Sequence, residues 1–189
     1  RGASMHWSLA DLVADLAANA VEASAALIEV RVAEQSDRIV VEVEDNGCGM
    51  TPEALALATD PFATSPEKHP GRAVGLGLAF LRQTAEATGG RWWLESTPGE
   101  GTRAGIQIPA GAVDAPATGD LRETFVQLLS ADGECQITIE RETPLGRYTL
   151  NRRELQEILE DEPGDMSRAG NVSLLREYVA SQEEAVWEK

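Results

Sequence analysis

Residues 41–50, "VEVEDNGCGM", begin like a strand and end in an unusual turn. Valine and glutamate alternate up to Asp45, which is typical of a half-buried strand. Glycines then follow at positions 47 and 49. One glycine is enough for a tight turn, so two glycines beside a carboxylate predict that another group approaches this backbone closely. The alternative is an Asx-type turn after a strand.

The flanking sequence predicts helices and strands on both sides of this turn. Residues 8–24 have helical periodicity, with Ser8 as N-cap and Asp11 in the capping-box position. Residues 26–34 and 38–45 are predicted as two strands of a hairpin. Beyond the glycines, Thr51 and Pro52 predict the start of a short helix.

Asp15 and Asn19 are four residues apart on the first predicted helix and therefore share one face. The amide oxygen of Asn19 is a suitable ligand for Mg²⁺, which prefers hard oxygen donors. A carboxylate one turn away could orient or deprotonate a water molecule. The alternative is that both residues lie on the solvated side of the helix.

Two further glycine-rich stretches follow. Residues 60–75 are rich in Pro, Gly and Ser, as in loops that cover ligands, and Gly75-Leu76-Gly77-Leu78 then opens a predicted helix over residues 76–90. Backbone N–H groups at a helix N-terminus attract phosphate, although a hinge would have the same composition. Gly99-Glu100-Gly101-Thr102 joins two predicted strands, residues 91–96 and 102–109, where a simple hairpin turn is the alternative.

The order of these elements predicts an α+β fold with a mixed sheet and helices on one face. Residues 110–120 read as a linker, which divides the chain into a domain over residues 5–110 and a small acidic α+β segment over residues 118–189. In that segment we expect a helix at 120–130, two strands near 134–149, and helices at 151–161 and 172–187.

The last predicted helix carries an apolar face. We expect this face to pack on the main domain, although it could instead bind a partner. It comprises Val172, Leu175, Tyr178, Val179, Val186 and Trp187.

Composition restricts the classes of partner. The chain has 189 residues and a formal net charge of −16, which argues against nucleic acids and anionic membranes as partners. Apolar runs stay well short of the roughly 20 residues of a membrane span, and no signal peptide is visible, so we expect a cytoplasmic protein. The first four residues, before Met5, resemble a cloning scar.

Five short motifs in this order resemble one superfamily. They are "DLAANAVEA", "DNGCGM", "PFATS", "VGLGLAF" and "GEGT", between residues 8 and 109. The chain resembles the ATP-binding domain shared by gyrase, the heat-shock chaperones of that group, histidine kinases and MutL (the GHKL superfamily, or Bergerat fold), and most of all its histidine-kinase branch. The resemblance implies a two-layer α/β sandwich with a mixed, largely antiparallel sheet that binds ATP and Mg²⁺.

The resemblance also implies roles for individual residues. Asp45 would accept the adenine amino group, with Gly47 in the same turn and Gly49 beneath the ring, and Thr102 would reach the adenine side. Asn19 would hold Mg²⁺ and, through it, the phosphates. The remaining positions, which lie in or after the loop, would contact the phosphates or pack beneath the loop: Phe62, Lys68, Arg72, Gly75, Leu76, Gly77 and Leu78.

Two departures leave the activity open. ATP-hydrolysing members of the superfamily tend to carry Glu where this chain has Asp15, and Ala73 replaces a common Gly. A sensor kinase also needs a dimerising helical hairpin with a phosphoacceptor histidine. There is no room for such a hairpin before residue 8, so we expect a free-standing module. Three activities remain: an ATPase, a kinase that phosphorylates a protein partner (including an anti-sigma-type serine kinase), and a regulatory subunit that senses nucleotide without chemistry.

Overall fold

The computed structural model describes residues 7–60, 76–159 and 166–188. It begins with α1, Leu9–Glu22, and the predicted capping box is confirmed. The backbone N–H of Asp11 donates to Ser8 Oγ at 3.2 Å, and the Ser8 N–H donates to Asp11 Oδ2 at 2.8 Å. These reciprocal bonds satisfy donors that a helix N-terminus otherwise leaves unpaired.

The remaining elements follow the predicted order closely. Thr51 caps the second helix through a bond from the Ala54 N–H, as predicted, and the last helix begins three residues earlier than expected. The elements are β1 (Leu27–Glu34), β2 (Arg38–Asp45), α2 (Pro52–Thr59), α3 (Leu76–Thr88), β3 (Arg91–Thr97), β4 (Gly101–Pro109), α4 (Leu121–Ser130), β5 (Gln136–Glu142), β6 (Arg147–Asn151), α5 (Arg152–Leu159) and α6 (Ala169–Ala185).

The six strands form one mixed sheet in the order β3-β4-β2-β1-β5-β6. Neighbouring strands are antiparallel except β1 and β5, which are parallel. The predicted α+β class with a largely antiparallel sheet is therefore confirmed. Because β5 and β6 come from the C-terminal segment, the sheet continues across the predicted linker, and the division into two domains stays a prediction.

The two faces of the sheet differ in character, because successive side chains along each strand point to opposite faces. Val41 and Val43 of β2 are buried, and they face α1, which carries the first apolar helix face. Glu42 and Glu44 alternate with these valines and lie on the opposite face of the sheet. Glu44 is exposed there, and Arg103 of β4 pairs with Glu42 at 2.8 Å. The helices α1, α3 and α4 thus cover one face, and the other carries charged side chains.

The C-terminal segment joins the same core. Helix α4 packs on α1, and α6 packs on α4. The backbone N–H groups of Leu9 and Ala10 donate to the carbonyl oxygens of Ala117 and Thr118, each at 2.9 Å, so the end of the linker lies against the start of α1. The linker therefore supplies acceptors for two N–H groups in the first turn of α1.

The predicted apolar face of α6 is only partly correct. Leu175, Val179 and Val186 are buried, but Tyr178 and Trp187 are 40% and 47% exposed. The Trp187 ring instead lies 5.8 Å from the guanidinium of Arg141, a contact that periodicity alone does not predict.

Candidate functional site

Asp45 ends β2 as a half-buried carboxylate on the helix-covered face of the sheet. Its Oδ1 accepts a hydrogen bond from the Gly47 N–H at 2.7 Å, and Thr102 of β4 is its partner across the sheet. Burial raises the pKa of Asp45, while bonds from the backbone of Gly47 and Thr102 act in the opposite direction. An incompletely solvated carboxylate of this kind is a strong acceptor for a ligand donor.

The glycines after Asp45 have a packing reason. Gly49 has φ +63°, and a Cβ built there would lie 2.0 Å from the carbonyl oxygen of Thr97. A Cβ at Gly47 would lie 2.7 Å from the carbonyl oxygen of Ala23. The close approach predicted from the sequence is therefore met by the chain itself, and the contact of these glycines with a ligand stays a prediction.

Asp15 joins α1 to the start of α3. Its Oδ2 accepts a hydrogen bond from the Gly77 N–H at 3.0 Å, and a Cβ at Gly77 would lie 2.3 Å from the same oxygen. Burial raises the pKa of Asp15, against the bonds from Gly77 and Asn19. The predicted pair of Asp15 and Asn19 is therefore brought together with Gly77, which was predicted separately, and the Asp15 carboxylate accepts from an N–H at the N-terminus of α3.

Two polar side chains were not predicted as part of the site. Ser96 Oγ accepts from the Met50 N–H at 2.8 Å, donates to the carbonyl of Gly101 at 2.9 Å and lies 2.9 Å from Thr102 Oγ1. Ser96 is the register partner of Thr102, so the predicted hairpin of residues 91–96 and 102–109 could have placed it beside Thr102. Ser96 thus ties the turn after Asp45 to β3 and β4.

Asn46 is the second of these residues. Its Oδ1 accepts from the N–H groups of Ala26 and Leu27 at 2.9 and 2.8 Å. An Asx-type turn has a side-chain bond within the turn itself. The Asn46 side chain does not make that bond, because it accepts from the N–H groups at the start of β1. The Gly47 N–H to Asp45 bond is the local Asx-type contact.

The structure describes only some of the other predicted site residues. Phe62, Lys68, Arg72 and Gly75 lie outside the described residues. Leu76 is the first residue of α3, and the structure does not describe its side chain. Leu78 is half-buried and packs against the core, which is a structural role rather than evidence of ligand contact.

Among residues 7–60, 76–159 and 166–188, no three or more His, Cys, Asp or Glu side chains cluster in a way that could hold a metal ion. None of the helices in the same part of the chain has the length and apolar character needed to cross a membrane.

The profile of the family described as "Histidine kinase-, DNA gyrase B-, and HSP90-like ATPase" matches residues 7–112, which is more than half of the chain. The chain belongs to this ATPase family. The resemblance found in the sequence motifs is thereby confirmed, and residues 7–112 form a histidine kinase-like ATPase domain.

Relatives of this ATPase domain include sensor kinases. The chain is 30% identical over 156 residues to the sensor protein TorS of Escherichia coli, covering 82% of this chain and 16% of TorS. It is 35% identical over 91 residues to the sensor kinase CckA of Brucella abortus, covering 48% of this chain and 9% of CckA. The chain therefore spans a small part of these proteins.

A solved structure is also similar. It is the histidine kinase domain of the blue-light activated histidine kinase from Erythrobacter litoralis EL346. The identity is 23% and the TM-score 0.37, with 55% of this chain and 43% of that chain covered.

Proposed function

We propose that residues 7–112 bind ATP together with Mg²⁺ and use it for hydrolysis or phosphoryl transfer. The observation that supports this most directly is the half-buried Asp45 at the end of β2, in a chain that belongs to an ATPase family. A carboxylate that is partly removed from water is costly to the fold, so its retention at a strand end is explained by a ligand that donates to it.

At the adenine end, Asp45 accepts the exocyclic amino group. Gly49 lies beneath the ring, and Thr102 contributes its hydroxyl from the neighbouring strand. Ser96 holds that hydroxyl and the Met50 N–H, so it orients two parts of the binding surface without contacting the nucleotide.

At the phosphate end, the N-terminus of α3 supplies N–H donors for the phosphates. In the structure Asp15 occupies the Gly77 N–H, and a phosphate oxygen takes this place when nucleotide binds. The released Asp15 then orients or deprotonates the attacking water or hydroxyl. Its raised pKa favours this role, because a general base works best with a pKa nearer the ambient pH.

The side chain of Asn19 on α1 offers an oxygen ligand for Mg²⁺. The half-buried amide of Asn19 hydrogen-bonds Asp15, and its oxygen fits a hard cation that shares its remaining ligands with phosphates and water. Mg²⁺ bound there would neutralise phosphate charge. The absence of a cluster of three acidic or imidazole ligands among the described residues is compatible with such a site.

A turnover assay with γ-labelled ATP and Mg²⁺ tests the chemistry. It uses the 189-residue chain, once nucleotide binding has been demonstrated, with Asp15→Ala as the comparison. Phosphate release that stops in Asp15→Ala identifies an ATPase with Asp15 as its base. Equal turnover in both proteins contradicts the role of Asp15.

Similarity to sensor kinases favours a second candidate, phosphoryl transfer to a protein. A label that moves from ATP to a partner protein, whether on histidine or on serine as in an anti-sigma-type kinase, would identify it. Bound ATP that stays uncleaved with and without candidate partners would instead favour the regulatory, nucleotide-sensing subunit. A cytoplasmic location and the lack of nucleic-acid partners remain part of this proposal.

A further inference from the structure

A chain of hydrogen bonds connects the C-terminal segment to the turn that carries Asp45. The N–H of Gln136, the first residue of β5, donates to the carbonyl of Ala26 at 2.9 Å. The N–H groups of Ala26 and Leu27 in turn donate to Asn46 Oδ1, and the Asn46 N–H donates back to the Leu27 carbonyl at 3.3 Å. Asn46 directly follows Asp45. The backbone at Ala26 and Leu27 therefore contacts both the start of β5 and the turn that carries Asp45.

Arg152 holds the turn that leads into β5. This first residue of α5 is only 4% exposed. Its Nη1 donates to the carbonyl of Cys135 at 2.9 Å, and its Nη2 donates to the carbonyl of Ala131. Burying a guanidinium is costly, and Arg152 is bonded here to backbone carbonyl groups on either side of the turn at residues 132–134. Arg152 therefore joins the two sides of the turn that precedes β5.

The charges of Arg152 and Asp45 act on the same thiol. Burial is the main reason that the pKa of Cys135 is raised, the positive charge of Arg152 lowers it, and the negative charge of Asp45 raises it. Arg152 and Asp45 thus lie within electrostatic range of one side chain although they are far apart in sequence.

We propose that Arg152 is a positioning residue for adenine recognition, which it supports through the turn at residues 131–135, Ala26 and Asn46. This inference rests on the proposed function, because it requires that Asp45 accepts the adenine amino group. It assigns to the C-terminal segment a role in nucleotide selectivity.

The test compares the affinities of the full chain for ATP and for inosine triphosphate, which has an oxygen in place of the amino group. Displacing Asp45 weakens ATP binding more than inosine triphosphate binding, whereas general destabilisation weakens both equally. Arg152→Met is expected to lower the ratio of the two affinities by about three- to tenfold, the size of effect that a substitution without ligand contact has along a connected network of residues.

Arg176→Met is the control for loss of an arginine in the same segment. Arg176 lies in the same segment, and its guanidinium also joins two elements, because it bonds Glu123 at 2.9 and 3.0 Å. It is not part of the hydrogen-bond chain to Asn46, so its affinity ratio should equal that of the wild type. Amide exchange at Ala26 and Leu27 should be faster in Arg152→Met than in Arg176→Met.

Each outcome decides the proposal. A wild-type preference for ATP that Arg152→Met leaves unchanged overturns the positioning role alone, whereas a wild type that binds neither nucleotide overturns the proposed function as well. If Arg152→Met does not fold, Arg152→Lys is compared with Arg176→Lys. A lower ratio only in Arg152→Lys supports the proposal, and equal ratios reject it.

Discussion

The carboxyl group of Asp45, which we propose as the acceptor for adenine, has a pKa that depends on folding. Burial raises its pKa above the ordinary value of 3.8, so the native state binds this proton more readily than the unfolded chain does. The stabilising contribution is therefore fully present below pH 3.8 and is lost as the pH rises through the pKa of the folded state. At neutral pH the charge of Asp45 disfavours folding.

Asp45→Asn is consequently expected to change stability and affinity in opposite directions. The free energy of unfolding at pH 7 should be equal to or higher than that of the wild type, because the amide keeps an oxygen for the Gly47 N–H. ATP affinity should fall by about ten- to hundredfold, the usual value of a charged hydrogen bond. Urea unfolding and equilibrium ATP binding measure the two quantities. A variant that is less stable and still binds ATP normally would contradict the assignment.

Asp15→Asn separates chemistry from binding. The amide can still accept from Gly77, but it cannot take a proton, so turnover should fall by about 10²- to 10⁴-fold. ATP affinity should stay equal or rise, because a negative charge beside the phosphates is removed. Single-turnover kinetics with γ-labelled ATP and a binding titration provide both values. A parallel loss of affinity and turnover would argue that Asp15 only supports the fold.

At the scale of elements, the sequence predicted what depends on local patterns. The capping box of Ser8 and the alternation in β2 are local, so they were predicted correctly. The bonds from Met50 to Ser96 and from Ala26 to Asn46 join different elements, so no local pattern predicts them. Only the pairing of Ser96 with Thr102 follows from the predicted hairpin. Four predicted site residues lie within residues 61–75, outside the described part of the chain, and their roles remain predictions.

The turn between β3 and β4 offers a matched pair of glycines. Gly101 has φ +119°, and a Cβ there would lie 1.8 Å from the Asp45 carbonyl oxygen. Gly99 has φ +79°, with nothing within 4 Å of its Cβ position. Gly101→Ala should lower the free energy of unfolding by about 2–5 kcal/mol through strain and overlap, and Gly99→Ala by only about 1 kcal/mol. Urea unfolding measures both, and equal costs would show that this close approach does not matter.

The whole molecule is organised around a sheet that spans both predicted domains. Parallel pairing of β1 with β5 places Val30 beside Ile139, residues from opposite halves of the chain. No local pattern contains that pairing, which is why the sequence suggested a separate appendage. The segment also covers α1, which carries Asp15 and Asn19, with the side chains of α4.

Removing residues 118–189 should therefore damage the ATPase domain. Each buried apolar side chain that is newly exposed costs roughly 1.5–3 kcal/mol, and several such losses approach the ~5–15 kcal/mol that stabilises a typical domain. We expect the shortened chain to aggregate or to melt at a clearly lower Tm in circular dichroism. A fragment that melts cooperatively at the Tm of the full chain would support two independent domains instead.

Calorimetric titration of the full chain with ATP in the presence of Mg²⁺, alongside Asp45→Asn, shows whether Asp45 recognises ATP. We expect saturable binding at one site in the wild type, weaker binding when Mg²⁺ is chelated, and a large loss of affinity in the folded Asp45→Asn variant. Equal affinity in the two proteins, or no binding to the folded wild type, would contradict this role of Asp45.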